Sequence, residues 1–231
     1  MQAIIKVFLL VFFIASVFWR CTETKEVDPG NLGTNYFPLK VGEYRIYQVE
    51  GIRYNSFLDS VNFAYLLKES VTDSFTNLES GITYKIQRLK KSSQSGPWVL
   101  DSLWTARKDD RTAVLVESNV PLVKLSFPLE DSLTWDGNKL NDMDIDVFTM
   151  INVNQPFEDD FGSYANTSTV IQEYIPDLIV NWISKQEIYA EDVGLIYKEN
   201  VMLIYNQDAV GAEIIDSGIK YYQHLIEYGE E

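Results

Sequence analysis

The sequence holds one cysteine, Cys21, and one histidine, His224. The first excludes a disulfide within the chain, and the second excludes a multi-histidine metal centre. A Cys–His pair is excluded too unless residue 21 enters the folded body, and Ser–His–Asp chemistry would have to use His224. The chain has no G-x-S-x-G, no Walker loop, no dinucleotide-binding glycine fingerprint and no C-x-x-C. Basic residues are scarce: 19 against 34 acidic ones, a net charge of −15. Loss of Lys6 and Arg20 with an N-terminal leader makes it −17. Such a surface repels phosphate backbones, which excludes nucleic acid as a partner, and it gives no charge attraction to anionic membranes. Helical periodicity is also lacking beyond the leader. The best rival is "IPDLIVNWISKQEIY", where Asp177 would cap a short helix running to Trp182 or Lys185.

Apolar residues make up 46% of the chain, enough for a substantial core, and Tyr (14), Phe (12) and Trp (5) are abundant. The start, "MQAIIKVFLLVFFIASVFWRC", sets Lys6 before the apolar run Val7 to Trp19, broken only by Ser16. That is the layout of a signal peptide and is shorter than the roughly 20 apolar residues of a membrane span. Cysteine directly after such a run resembles a bacterial lipoprotein signal, in which the sulfur of Cys21 would carry a lipid. The usual pattern has a small residue before the cysteine and an aliphatic one three before it. Phe18, Trp19 and Arg20 stand there instead. Cleavage after Ala15 or Val17, or retention of the segment as an anchor, are the alternatives. Residues 1–20 are therefore expected to be a signal peptide, with a signal helix, and 21–35 a flexible tether.

From residue 36 onward the pattern is β. "EYRIYQVEG" and "ITYKIQRLKK" alternate with a period of two, and "SSQSGP" is a plain turn signal. "DSVNFAYLLKESVTDSF", "WVLDSLWTARK", "RTAVLVE", "MDIDVFTMINV", "TSTVIQEYIP", "NWISKQEIYAEDVG", "LIYKENVMLIYNQ" and "AEIIDSGIKYYQHLIEYG" read as further strands. The middle is less regular. Pro121 and Pro128 suit edges or connections, "TWDGN" reads as a tight turn, and "NQPFEDDFGSYANT" reads as an acidic loop. About ten strands and no domain-sized linker give one all-β domain over 36–231. The expected architecture is a single antiparallel meander forming a strongly curved sheet, an open barrel or a sandwich.

"YFPLKVGEYRIYQ", "EIYAEDVGLIYKEN" and "IKYYQHLIEYG" together resemble stretches of uncharacterised exported lipoproteins of Bacteroidetes-type bacteria. The resemblance implies an envelope protein, and it carries no catalytic residues. Such bacteria O-glycosylate Asp-Ser/Thr followed by an aliphatic residue, so "DSV" at 59–61 and "DSL" at 101–103 and 131–133 make Ser60, Ser102 and Ser132 candidate sites beside the plainer reading as turn residues.

The remaining candidates are few. Asp142, Asp144 and Asp146 begin like a calcium loop, but Val147 stands where glycine is needed and Val153 where glutamate is needed. Read as a strand, they form a solvated acidic face. Trp98, Trp104, Trp135 and Trp182 suit either a core or stacking on sugars, with Trp182 the least core-like. His224 shares a strand face with Tyr222 and Ile226, which fits a half-buried structural histidine. The expectation is a non-enzymatic, cofactor-free binding or accessory module, lipid-anchored at the outer membrane or in the periplasm or cell surface. Its ligand would be a protein, a glycan or a lipidic molecule. One alternative is a carrier of lipidic cargo in a half-open barrel, which predicts a continuous apolar lining. The other is a glycan hydrolase, which predicts two facing carboxylates in an aromatic cleft.

Overall fold

A computed structural model of the chain describes residues 32–55, 59–78, 81–93, 95–209 and 214–231. Residues 1–20, expected to be a signal peptide, and Cys21 lie outside the described residues. Twelve strands follow: β1 (Glu43–Asn55), β2 (Asp59–Thr76), β3 (Ile82–Lys91), β4 (Val99–Lys108), β5 (Thr112–Glu117), β6 (Val120–Ser126), β7 (Thr134–Asp136), β8 (Val147–Asp159), β9 (Gly162–Asp177), β10 (Asn181–Ala190), β11 (Gly194–Tyr205) and β12 (Ile215–Glu230). They form one sheet in the order β6-β5-β4-β3-β2-β1-β12-β11-β10-β9-β8-β7. All its ladders are antiparallel, and β1 pairs with both β2 and β12. The first and last strands thus sit side by side, and the two ends of the sheet are β6 and β7.

Those two ends meet. Val123 N–H of β6 donates to Gly137 O just past β7 at 2.9 Å. Trp135 Nε1 donates to Val123 O at 2.8 Å, and Asn141 Nδ2 donates to Pro121 O at 2.9 Å. The meander is thereby nearly closed into an up-and-down barrel, which removes most of the exposed strand edge that an open sheet would carry.

Local chemistry explains the turns. Ser118 and Asn119 both have positive φ (50° and 68°), the two-residue geometry that joins β5 to β6 without splaying them. Asp177 Oδ1 accepts from the N–H groups of Ile179 and Val180 at 2.8 and 3.3 Å. The carboxylate that suited a helix cap instead closes the β9–β10 hairpin, so the helical rival for this stretch is not realised.

Four sequence expectations are corrected. The acidic stretch from Asn154 is no loop: it forms the arms of the β8–β9 hairpin. Its turn is tightened by Asp159 Oδ1, which accepts from Phe161 and Gly162 N–H at 2.9 Å each. "TWD" is the strand β7. The strand expected from Met143 begins only at Val147, because Asp136 Oδ1 accepts from both Asn138 N and Asp146 N and folds the intervening residues into a loop. The body also starts before residue 36. Asn35 Nδ2 donates to Glu191 and Asp192, Leu129 N–H donates to Leu32 O, and the 3₁₀ turn Thr34–Tyr36 places Tyr36, 2% exposed, in the core.

Tyr36 packs with Leu125, Phe148, Met150, Val170 and Tyr189, and so plugs one end of the barrel. Tyr47, Val49, Leu67 and Leu225 fill the wall formed by β1, β2 and β12. On the outer wall, the β8–β9 hairpin tip lies over β11 and β12. Phe161 stacks on His224 at 4.4 Å, Phe157 meets Tyr197 at 6.1 Å, and Asp159 Oδ2 is 2.9 Å from His224 Nδ1. His224 is therefore a half-buried structural residue that pins a hairpin.

The β6–β7 contact is the weakest join of the ring. Trp135→Phe retains an aromatic ring against Phe148 but loses the hydrogen bond to Val123 O and part of the indole's packing, an expected cost of about 1–2 kcal/mol. Trp135→Ala also leaves a cavity, with an expected cost of about 3 kcal/mol or more. Urea unfolding of the two variants measures the difference.

Candidate functional site

The candidate site is the interior of the barrel. Cross-strand partners point to one face, so register decides which side chains meet there. Lys198 of β11 pairs with Glu187 of β10 and Gln223 of β12, and Gln223 pairs with Val49 of β1. One residue row further along, Asn200 pairs with Lys185 and Tyr221, and Tyr221 pairs with Gly51. These inward rows bound a cavity of about 320 Å³, in the range of small-ligand sites.

Its wall is charged. Lys124 is the extra residue of a bulge between the β5–β6 pairs Ala113–Leu125 and Val114–Val123. The bulge turns its side chain inward beside Leu125. There Lys124 Nζ lies 2.6 Å from Glu187 Oε1 and 3.3 Å from Glu117 Oε1. Lys198 Nζ reaches the same Glu187 oxygen at 3.1 Å, and the Tyr189 hydroxyl donates to Glu187 Oε2 at 2.6 Å. Lys124 is 3% exposed and Glu187 1%. The network joins β5, β6, β10 and β11, so it ties strands on both sides of the β6–β7 join.

A second group lines the wall from β2 to β4. Arg88 Nε lies 2.8 Å from Glu69 Oε1, and its guanidinium rests 3.6 Å from the Trp104 ring centre. Ser102 Oγ and Asp101 hold its other edge. Arg45 Nε donates to Val193 O at 2.5 Å near the plugged end. Tyr47, Tyr65, Tyr189 and Tyr221 add aromatic surface.

Electrostatics here is dominated by burial and by the pairing that offsets it. Burial alone would push Glu187 and Glu117 up. The Lys124 and Lys198 ammonium groups outweigh it and hold both carboxyls below their ordinary range. Burial likewise opposes the charge on Lys198, yet Glu187 and Glu117 raise it above its ordinary value. Tyr47, Tyr189 and Tyr221 are raised by burial first, so they stay neutral hydroxyls. A carboxyl that serves as a general acid needs the opposite shift. The arrangement holds charge in place and offers polar contacts; it is not set for proton transfer by Glu187 or Glu117.

Most of the residues singled out from the sequence fall elsewhere. Asp142, Asp144 and Asp146 line an open surface depression with Glu173. Among the described residues no three His, Cys, Asp or Glu side chains stand close enough to hold a metal ion. Burial raises Asp146, with Glu173 and Asp136 adding to it against Lys185. Ser60 is exposed at the start of β2, and Ser132 is exposed in a turn with φ 68°. Ser102 is half-buried opposite Arg88, where its Oγ accepts from Arg88 Nη1 at 3.3 Å and donates to Asp101 Oδ2 at 2.9 Å. Of the tryptophans, Trp104 reaches the cavity, Trp135 seals the ring, and Trp182 packs edge-on against Tyr174. Trp98 lies beneath the Lys91 ammonium, 5.6 Å from its ring. Sequence reasoning missed Lys124, Glu187, Lys198 and Arg88. A usable signal existed at Lys124 and Glu187, where a charge adjoins a strongly apolar run ("LVKLS", "EIYA") and marks a buried, paired group.

No family model and no curated protein matches the chain. Two solved structures are similar to it in backbone. One is a "putative exported protein with YmcC-like fold" from Bacteroides fragilis, with 12% identity and a TM-score of 0.43, covering 84% of this chain and 98% of that one. The other is a "putative lipoprotein" from Parabacteroides distasonis, with 11% identity, a TM-score of 0.43 and the same coverages. Likeness this loose leaves the site to be read from the chain's own residues.

Two outcomes follow for the network. Glu187→Gln removes the charge that two ammonium groups share and is expected to cost about 3–5 kcal/mol in chemical denaturation. Melting temperature should be flat at neutral pH and fall on both sides. Glu187 and Glu117 resist protonation when folded, so acid favours the unfolded chain as pH drops below about 4.5, the ordinary carboxyl value. Tyr36 (pushed up to about 12 by burial and Glu191), Tyr47, Tyr189, Tyr221 and Lys198 keep their protons longer when folded. Stability is therefore present below about pH 10 and lost as pH rises past it. Calorimetry across pH checks both limbs.

Proposed function

We propose that the chain is an exported, lipid-anchored, non-enzymatic binding module whose ligand enters the barrel lumen. Its address rests on the sequence: a positive residue, a 13-residue apolar run and Cys21 at the junction. The acidic segment after Cys21 then serves as the tether that holds the barrel off the envelope membrane.

The observation that carries the binding reading is the cavity itself. It is of ligand size, it is walled by aromatic and charged side chains, and its charges are already paired with one another. Such a wall recognises a polar group without needing a reaction. The hydrolase alternative is disfavoured by the lowered carboxyls, and a carrier of wholly apolar cargo is disfavoured by the ionic wall. A purely hydrocarbon occupant would gain nothing against buried Lys124 and Glu187.

Two measurements test it. Labelled palmitate should be incorporated by the wild type and lost in Cys21→Ala; an unlabelled wild type sinks the anchor. Native mass spectrometry of protein isolated from envelopes should show a non-covalent adduct that Asn200→Trp, which fills the cavity, abolishes without changing the β-sheet circular dichroism. No adduct in the wild type, or the same adduct in the filled variant, sinks lumen binding.

A further inference from the structure

The inward face does not stop at the cavity. β1, β2 and β9–β12 run one residue row past Asn200 and Tyr221, and register fixes what that row contains. Val61 pairs with Arg53, Arg53 with Ile219, Ile219 with Met202, Met202 with Ile183, and Ile183 with Ile175. No bulge interrupts β11 between Lys198 and Ile204, so Met202 and Ile204 share a face with the cavity residues Lys198 and Asn200. Inward apolar side chains of a barrel are ordinarily covered. Here Val61 is 53% exposed, Met202 39%, Ile204 52% and Ile175 40%. The result is an apolar strip on β9–β12 and β2, broken on β1 by Arg53, that runs directly into a charged cavity. From Lys198 to Ile204 the strand rises roughly 20 Å.

Charge selects the occupant's head. The cavity wall carries four cations, Arg45, Arg88, Lys124 and Lys198, against three carboxylates, Glu69, Glu117 and Glu187. Glu43 and Asp101 add ion pairs to Arg45 and Arg88, so the cations of cavity and strip left without a carboxylate among the described residues are Arg53 and Lys90, inside a chain of net charge −15. Arg53, in the apolar row, has no ion-pair partner among the described residues, and Lys90 Nζ sits 3.7 Å over the Tyr65 ring at the cavity wall. At the junction of cavity and strip, Asn200 Oδ1 is buried and accepts no hydrogen bond from a described residue. That acceptor calls for a hydroxyl or similar donor on the ligand.

Resting on the lumen-binding reading above, we infer that cavity and strip form one site for a single-chain anionic amphiphile. Its hydroxyl-bearing anionic head lies in the cavity, and its hydrocarbon chain lies along Ile219, Met202, Ile183 and Ile175. The ionic wall orients the head, and covering the strip supplies the apolar gain that a free head group lacks.

Isothermal titration with lysophosphatidylglycerol below its micelle concentration tests this. Two controls dissect it: lysophosphatidylcholine has the chain but no net charge, and glycerol phosphate has the head but no chain. The expected result is binding of lysophosphatidylglycerol at least tenfold tighter than either control. Met202→Asp, at an exposed position, should weaken it tenfold or more with an unchanged melting temperature and unchanged glycerol phosphate binding. Equal affinity for lysophosphatidylcholine overturns the inference, as does an indifferent Met202→Asp. Glycerol phosphate binding as tightly as lysophosphatidylglycerol overturns the strip's role while leaving lumen binding intact. No binding of any probe overturns the inference alone, because the adduct experiment decides lumen binding separately. A dimer that Met202→Asp dissociates, with no amphiphile bound, assigns the strip to a second copy and overturns it as well.

Discussion

The buried carboxylate of Glu187 is the constraint around which the barrel is organised. It sits on β10, takes Lys198 from the next strand and Lys124 from the far side of the ring, and accepts the Tyr189 hydroxyl. Removing a carboxylate from water is costly, and only close, multiple pairing offsets that cost. Satisfying Glu187 therefore requires β6 to lie opposite β10, and that placement brings β6 to β7. The ion network and the closure of the ring support one another. The bulge that turns Lys124 inward is the local device that makes both fit.

The same requirement shapes the lumen. A barrel interior filled by aliphatic side chains would have packed solid, whereas rigidly paired charges hold one another in place and leave space beside them. Tyr47, Tyr65, Tyr189 and Tyr221 border that space with faces that are apolar and tips that are polar. Arg88, stacked on Trp104 and held by Glu69, gives the opposite wall the same rigidity. Fixed polar walls of this kind favour recognition, since little ordering remains to be done when a ligand arrives.

On the outside, the β8–β9 hairpin illustrates how an acidic stretch becomes a packed element. Its carboxylates face water or turn the chain, while Phe157 and Phe161 cover Tyr197 and His224. A reading by composition sees only the acids in "NQPFEDDFGSYANT" and misses the two aromatics that anchor it. Half-buried Trp182 and exposed Tyr174 make a similar pair on the outer wall.

The sequence by itself determined the fold class and most of the strands, because alternation depends on neighbouring residues alone. β3 matches the run "ITYKIQRLKK" residue for residue, β10 lies within "NWISKQEIYAEDVG", and β11 starts one residue before "LIYKENVMLIYNQ". It also determined what the chain lacks, since one histidine is one histidine in any fold. Only the tertiary structure decided that the meander closes, that residues 32–36 pack against the body, and which charges face inward. Lys124 and Glu187 stand 63 positions apart, so no local pattern relates them. Asp142, Asp144 and Asp146 looked organised in sequence yet lie in a surface loop, because Asp136 claims the backbone of that segment. Spacing along a chain fixes which face a residue takes; which faces meet is fixed by pairing between distant strands, and the site here is made entirely of such meetings.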